Sequence, residues 1–454
     1  ISGLIANITK PFIIYRVCFD KNVKSYFMDS VKYLAALSGI LAILWGLSKI
    51  IMPEVTMVSF AVMFVVICAV FNGIFLLLFG RTQEFAYLWG IIRTKIRWKG
   101  RKKMLKMVKA AEADLLRYPK RGIGYHLKRT AKMLTGHKVE PPDKINWPNG
   151  LLAKGLADYY MENKNSEEAR IILNCLKKYY DRWISRGCKM YYLDDAFSGM
   201  ALIDLHQITG DEKYKKAAEA MVRYLIDHET DRGGSLPYRP KQKNQYIFAD
   251  SIGMVCPFLC KYGSTYGDLN AVNLAVTQIQ NFIEYGMDAK TGLPYHGYHY
   301  ETGVKYGIIG WGRAAGWLMI GMAESLAYME PDRPSYETIK QSYRRLVDKV
   351  EAYQLEGGLY SWQLEAKEGP VDTSATAMIL YAIARSLDTK VLIGIHKSRM
   401  LRGREALWHT VKEGRIDNCL AECQGFSMYP QVYGAYPWSL GPALSLFAMT
   451  EENS

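Results

Sequence analysis

Two kinds of helical segment alternate along most of this chain, and that alternation limits its folds more than any other feature. One kind is amphipathic and charged, as in DEKYKKAAEAMVRYLIDH (Asp211–His228) and SYETIKQSYRRLVDKVEAYQ (Ser335–Gln354). The other is small, apolar and nearly chargeless, as in GRAAGWLMIGMAESLAYM (Gly312–Met329) and TSATAMILYAIARSL (Thr373–Leu387). A helix that is apolar around most of its circumference must be buried on both sides, whereas an amphipathic helix covers a core with one face. The periodicity predicts about twelve helices, near 103–117, 149–161, 165–186, 194–208, 211–228, 250–262, 268–286, 312–329, 334–354, 372–387, 400–413 and 437–450. Strands are not expected. The paired pattern recurs about every 50–60 residues, as repeated helical hairpins do. Six inner helices inside six outer ones close into an all-α (α/α)6 barrel, and the loops entering the inner helices then meet on one face.

Ahead of this pattern lie two apolar runs. Tyr33–Ile51 holds one charge, Lys49, and Val55–Phe79 holds none. Each approaches or exceeds the roughly 20 apolar residues that cross a hydrocarbon core. Met52, Pro53 and Glu54 separate them. The expectation is an N-terminal region, 1–99, with a two-helix membrane hairpin at about 33–51 and 55–79 and a basic juxtamembrane segment, then a barrel domain over 100–454. The net charge is +14, and between Ile91 and Thr130 14 Lys/Arg stand against 2 Asp/Glu. Basic flanks predict both ends on the cytoplasmic side of the inner (plasma) membrane, against anionic headgroups. A nucleic-acid partner is not expected, because the basic block adjoins the apolar runs and no recognition motif accompanies it. The chain has eight cysteines, and neither Cys256/Cys260 nor Cys419/Cys423 is completed to a zinc spacing. No metal or cofactor is expected, and free thiols suit a reducing compartment. Oligomeric state is not legible.

The loops before the inner helices carry the unusual residues: LDD (Leu193–Asp195), QYIFAD (Gln245–Asp250), LPYHGYH (Leu293–His299), GWGR (Gly310–Arg313) and VDTSATA (Val371–Ala377). Asp250 stands at a helix start, where a carboxylate can cap free N–H groups or do chemistry. A sugar ring presents an apolar face that Trp311, Trp317 or Phe248 can cover. An Arg suits a carboxylate through paired donors. An aromatic wall such as Phe248 favours the protonated form of a neighbouring Asp by desolvation. Each residue also has a structural reading. Asp194 can be an N-cap, His296 can bond a loop carbonyl, Arg313 can hold a structural acid, and Trp317 can pack in the core.

LDDAFSGMALIDLHQITGDEKYKKAA, ADSIGMVCPFL, TGLPYHGYHYETG, GWGRAAGWLMIGMAESL and TSATAMILYAIA, in this order, resemble the unsaturated glucuronyl and rhamnogalacturonyl hydrolases, glycoside hydrolase families 88 and 105. The resemblance covers roughly residues 103–450 and leaves the apolar runs outside it. It implies an (α/α)6 barrel and an anionic oligosaccharide substrate whose terminal uronic acid carries a C4=C5 double bond. Ordinary glycosidases place two carboxylates around the scissile bond. In these families an acid protonates C4 and water adds at C5. The resemblance makes Asp250 the acid/base and Asp195 the second catalytic Asp, with Asp194 as its rival. It gives His296, Trp311 and Arg313 to substrate binding; Phe248, where some members carry Trp, and Trp147 are further candidates for that role. Arg239 adds positive charge where some members carry His. The alternatives are a membrane-associated enzyme acting on saturated saccharides in polysaccharide biosynthesis, and a non-catalytic glycan-binding scaffold.

Overall fold

The computed structural model describes residues 23–51, 56–79, 100–117, 122–135, 144–238 and 245–450. The chain divides into two compact units, Ile1–Gly100 and Arg101–Ser454.

In the first unit, helices Val23–Ile51 and Met57–Phe79 pack on each other. Among the described residues no helix is long and apolar enough to cross a membrane, so the structure does not support the spanning hairpin. The first helix carries Lys24, Asp29, Lys32 and Lys49 within its own length, which breaks up its apolar character. Both helices nevertheless expose large apolar side chains, among them Leu34, Leu41 and Trp45 on the first and Met57, Phe60 and Phe64 on the second. The break at Met52–Glu54 and the basic residues Arg81–Lys99 lie outside the described residues.

In the second unit twelve of the described helices alternate as two layers. The inner six are Trp147–Glu162, Gly199–Thr209, Ala249–Tyr266, Gly312–Tyr328, Thr373–Asp388 and Pro437–Thr450. The outer six are 100–115, Glu167–Ile184, Glu212–Ile226, Leu269–Tyr285, Pro334–Glu351 and Lys397–His409. Each inner helix touches the next, and the last packs on the first, so the ring is closed. A further helix, Ile123–Leu134, was not foreseen. Its helical face is strongly amphipathic but its Gly-rich start hides the onset.

Local chemistry sets these boundaries. Asn146, Ser166, Asp211, Asp268 and Asp372 each accept a backbone N–H of the helix they precede. Gly210 and Gly267 end their helices in the left-handed region, at φ of 67° and 76°. Where Ala249–Tyr266 crosses Gly312–Tyr328, Gly253 and Gly321 let the backbones meet. A Cβ on Gly253 would lie 2.4 Å from the Trp317 carbonyl oxygen.

The inner helices bury charge about one to three turns beyond their N-terminal ends. Glu324 accepts from the Tyr381 hydroxyl, pairs with Arg385 at 3.2 Å and lies 3.7 Å from Lys154. Lys154 pairs with Asp158 at 2.5 Å, and Lys261 pairs with Asp204 while donating to the Met200 carbonyl at 3.1 Å. Burial alone would push the Glu324 carboxyl up. Arg385, Lys154, the Tyr381 hydroxyl and Lys261 outweigh it and hold the group down at about 2.

Short strands also form. Tyr246–Phe248 pairs antiparallel with Gly297–His299, which pairs with Lys305–Tyr306. Runs of two or three residues are too short to show a period-two pattern.

A charge cluster shared among inner helices should be costly to break. Glu324→Gln removes the carboxylate that Arg385 and Lys154 share and should lose about 3–5 kcal/mol in urea unfolding followed by circular dichroism. The folded-state value lies below the ordinary one, so this stabilisation is full above about pH 4.5 and fades as pH falls towards 2. The wild-type stability should fall more steeply than the variant's across that window.

Candidate active site

Asp250 is held in place by the small sheet. The Phe248↔Gly297 register puts the Ala249 N–H on the His296 carbonyl at 2.9 Å. The pairing needs glycine at 297, because a Cβ there would sit 2.3 Å from the Ile247 carbonyl oxygen. Asp250 therefore lies in the first turn of its helix, beside His296, and its side chain does not cap that helix. Asp250 Oδ2 lies 3.3 Å from His296 Nε2. The contact is close enough for charge to matter, but it is not aligned as a hydrogen bond, and Oδ2 is enclosed without another partner.

These groups open onto a cavity of about 570 Å³, within the range that holds small ligands. Aromatic rings form much of its wall: Trp147, Tyr238, Tyr246, Phe248, Trp311 and Trp317. Trp147 opens the first inner helix, with its ring centre 6.0 Å from Trp317 and 5.2 Å from Trp438. Trp311 is fully buried, 4.6 Å from the His296 ring, and its Nε1 has no acceptor among the described residues. Trp317 serves as both core and wall. It is 1% exposed and still borders the cavity.

Arg313 is buried on the cavity wall. Its guanidinium donates to Ser374 Oγ at 3.3 Å and to the carbonyls of Leu420 and Ala421 at 2.7 and 2.8 Å. Among the described residues no carboxylate forms an ion pair with it, so it is not the partner of a structural acid. It lies 4.8 Å from the Trp311 ring centre.

The second carboxylate differs from the expectation. Asp194, not Asp195, borders the cavity. The expected helix start is a 3-10 turn, Leu193–Ser198, ahead of Gly199–Thr209. That turn sends Asp195 back onto the chain, where Oδ2 accepts the Tyr191 and Tyr192 N–H groups at 2.9 and 3.2 Å. Burial, then the neighbouring Asp194, pushes Asp195 up to about 7. Asp194 accepts the Tyr238 hydroxyl at 2.7 Å, and burial pushes it up as well. Arg239 lies outside the described residues.

One wall was missed entirely. Between the paired strands Cys419–Leu420 and Tyr433–Gly434 the chain folds into a flap. Its Glu422, Cys423, Gln424 and Gly425 border the cavity. Burial pushes Glu422 up, against the pull of Arg313. Farther along the flap, Phe426 stacks on Phe248 at 4.6 Å and 19°, and the Tyr429 hydroxyl meets His296 Nδ1 at 2.8 Å. The available signal was QGFSMYPQVYGAY, an aromatic and Gly/Pro-rich stretch just before an inner helix. Among the described residues no three His, Cys, Asp or Glu side chains are grouped to hold a metal.

The arrangement is therefore an aromatic-walled pocket with three carboxylates on its wall, Asp194, Asp250 and Glu422, an imidazole against Asp250, and an arginine that forms no ion pair among the described residues. The model of the family described as Glycosyl Hydrolase Family 88 matches residues 121–451. The unsaturated rhamnogalacturonyl hydrolase YesR of Bacillus subtilis is 26% identical over 317 residues, which is 67% of this chain and 88% of that protein. A possible family 105 member from Klebsiella pneumoniae superposes with a TM-score of 0.65 at 15% identity, covering 77% of this chain and 93% of that one. The unsaturated glucuronyl hydrolase of Bacillus sp. GL1 gives 0.56 at 17% identity, covering 68% and 87%. These two likenesses show the shared helical fold, and the match over 121–451 shows the lineage: the chain belongs to glycosyl hydrolase family 88, the unsaturated glucuronyl and rhamnogalacturonyl hydrolases.

Proposed function

We propose that the protein removes a terminal 4,5-unsaturated uronic acid from an oligosaccharide by hydrating its C4=C5 bond, with Asp250 as acid and then base. The observation that carries this reading is Asp250 beside His296 in an aromatic pocket whose wall includes Arg313, which forms no ion pair among the described residues. In the proposed cycle Asp250 gives its proton to C4, and positive charge develops at C5 and the ring oxygen. Water attacks C5 while returning a proton to the Asp250 carboxylate. The hemiketal opens and releases the remaining sugar. Trp311 and Phe248, which border the cavity, face the sugar. Arg313 supplies positive charge for the uronate. In this reading Asp194 takes the second carboxylate role, because it reaches the cavity and Asp195 does not.

Lyase-generated unsaturated glucuronyl and rhamnogalacturonyl disaccharides test the proposal through the ultraviolet absorbance of the conjugated double bond. Absorbance should fall with the wild type, and Asp250→Asn should slow it about 10²–10⁴-fold. Unchanged absorbance over both disaccharide classes would overturn the reading.

The two neighbouring carboxylates should separate. Asp194→Asn should lower turnover without moving the melting temperature. Asp195→Ala should cost about 0.5–2 kcal/mol of stability through the lost turn cap. Thermal melts beside rates decide between them.

For location, we propose that the N-terminal unit attaches the enzyme to the cytoplasmic face of the inner membrane. The support is apolar exposure, as at Trp45, 68% exposed, and Phe64, 61% exposed, together with the many basic residues of 91–130. The full chain should co-float with anionic vesicles, and Trp45→Glu with Phe64→Glu should reduce that. A wild type that stays in the dense fraction would reject the location.

A further inference from the structure

Three hydroxyl, imidazole and carboxylate groups stand in a row: Tyr429, His296 and Asp250. His296 Nδ1 and the Tyr429 hydroxyl are 2.8 Å apart, and His296 Nε2 is 3.3 Å from Asp250 Oδ2. Each group has a fixed number of protons, so the partners decide where they lie. The Tyr429 oxygen already accepts the Ile308 N–H at 3.4 Å. The hydroxyl has one proton to donate, and among the described residues its acceptor is His296 Nδ1. Burial pushes the Tyr429 hydroxyl up, so it stays a neutral phenol. A neutral imidazole that accepts at Nδ1 carries its proton at Nε2.

We infer that Tyr429 is a positioning residue that fixes the His296 tautomer, placing a protonated Nε2 3.3 Å from Asp250 Oδ2, in charge contact without hydrogen-bond alignment, and leaving Oδ1 to exchange the proton with substrate. The geometry around Asp250 agrees. Oδ2 is enclosed with only His296 beside it, whereas Oδ1 is not so enclosed and the side chain is 18% exposed. Within the proposed reaction, which this inference rests on, the O–H bond at Oδ1 breaks as the C4–H bond forms. The carboxylate left behind faces the Nε2–H through Oδ2. The attacking water later returns a proton to Oδ1, so the cycle closes without a net proton on His296. An orienting group that sets an imidazole tautomer for its catalytic neighbour is a known device.

The arrangement also ties proton placement to the flap. Tyr429 sits on the segment whose Phe426 packs on Phe248 at 4.6 Å and on His296 at 5.1 Å. The flap's Glu422 and Gln424 border the same cavity. The tautomer is therefore set when this segment is docked.

The test uses the full chain with 15N-labelled histidine, with the His296 signals assigned by their loss in His296→Gln. In the wild type Nδ1 should show the shift of an unprotonated nitrogen and Nε2 that of a protonated one. Tyr429→Phe keeps the ring, which packs 5.2 Å from Trp311, and removes the hydroxyl. It should give mixed tautomers, lower kcat about 100-fold, as for a catalytic group held out of line, and leave KM within about twofold. A protonated Nδ1 in the wild type would overturn the inference, as would a Tyr429→Phe variant with unchanged nitrogen shifts and kcat. If the wild type hydrates no unsaturated disaccharide, the proposed reaction fails while the nitrogen shifts still decide the tautomer.

Discussion

The barrel depends on a requirement of its inner helices: segments with so little polar surface have to be enclosed, yet some of them carry charge into the enclosure. Glu324 meets that requirement for its neighbours. Its carboxylate is shared by Arg385, the Tyr381 hydroxyl and Lys154, which belong to two other inner helices. Burying one such group alone would cost several kcal/mol. Distributed over several helices, the charges are matched only when the ring is closed in one register. The cluster thus favours a single arrangement of the helices over alternatives with equally good apolar packing.

That fixed frame explains how a reactive site can be assembled largely from loops. The ends of the inner helices supply Trp147, Asp250, Trp311 and Arg313 at fixed positions. The connecting segments supply what differs in role: a small sheet that carries His296, a 3-10 turn that presents Asp194, and a flap that closes one side. Arg313 joins the two classes. It grows from an inner helix and holds the base of the flap by two carbonyls. Its bonds go to the flap backbone and Ser374, not to the structural acid that the sequence allowed, while its charge borders the cavity.

The sequence made legible what is contiguous and periodic. The alternation of apolar and amphipathic segments gave the double ring of helices. Asp250, Trp311 and Arg313 lie in continuous motifs at the heads of inner helices, His296 lies in a continuous motif of a connecting segment, and the fold brings them together. Asp194 and Asp195 show where that ends. They are adjacent, and which one faces the cavity depends on the phase of a 3-10 turn, about 120° per residue, that no spacing rule reports. The flap escaped because its strands are two residues long and its contacts to Phe248 and His296 span well over a hundred residues. The apolar N-terminal runs are helical over their described residues, but no described helix is long and apolar enough to cross a membrane, which leaves the spanning expectation without support.

Closure of the ring by its final element bears on how the enzyme is made. Pro437–Thr450 packs on Trp147–Glu162, and the flap just before it completes the pocket. At typical elongation rates of about 5–20 residues per second, the nascent chain spends many seconds with five inner helices and no seat for the first. The apolar face of Trp147–Glu162 that Pro437–Thr450 covers is then open. A chain that stops before Pro437 leaves the ring open and the first inner helix without its neighbour.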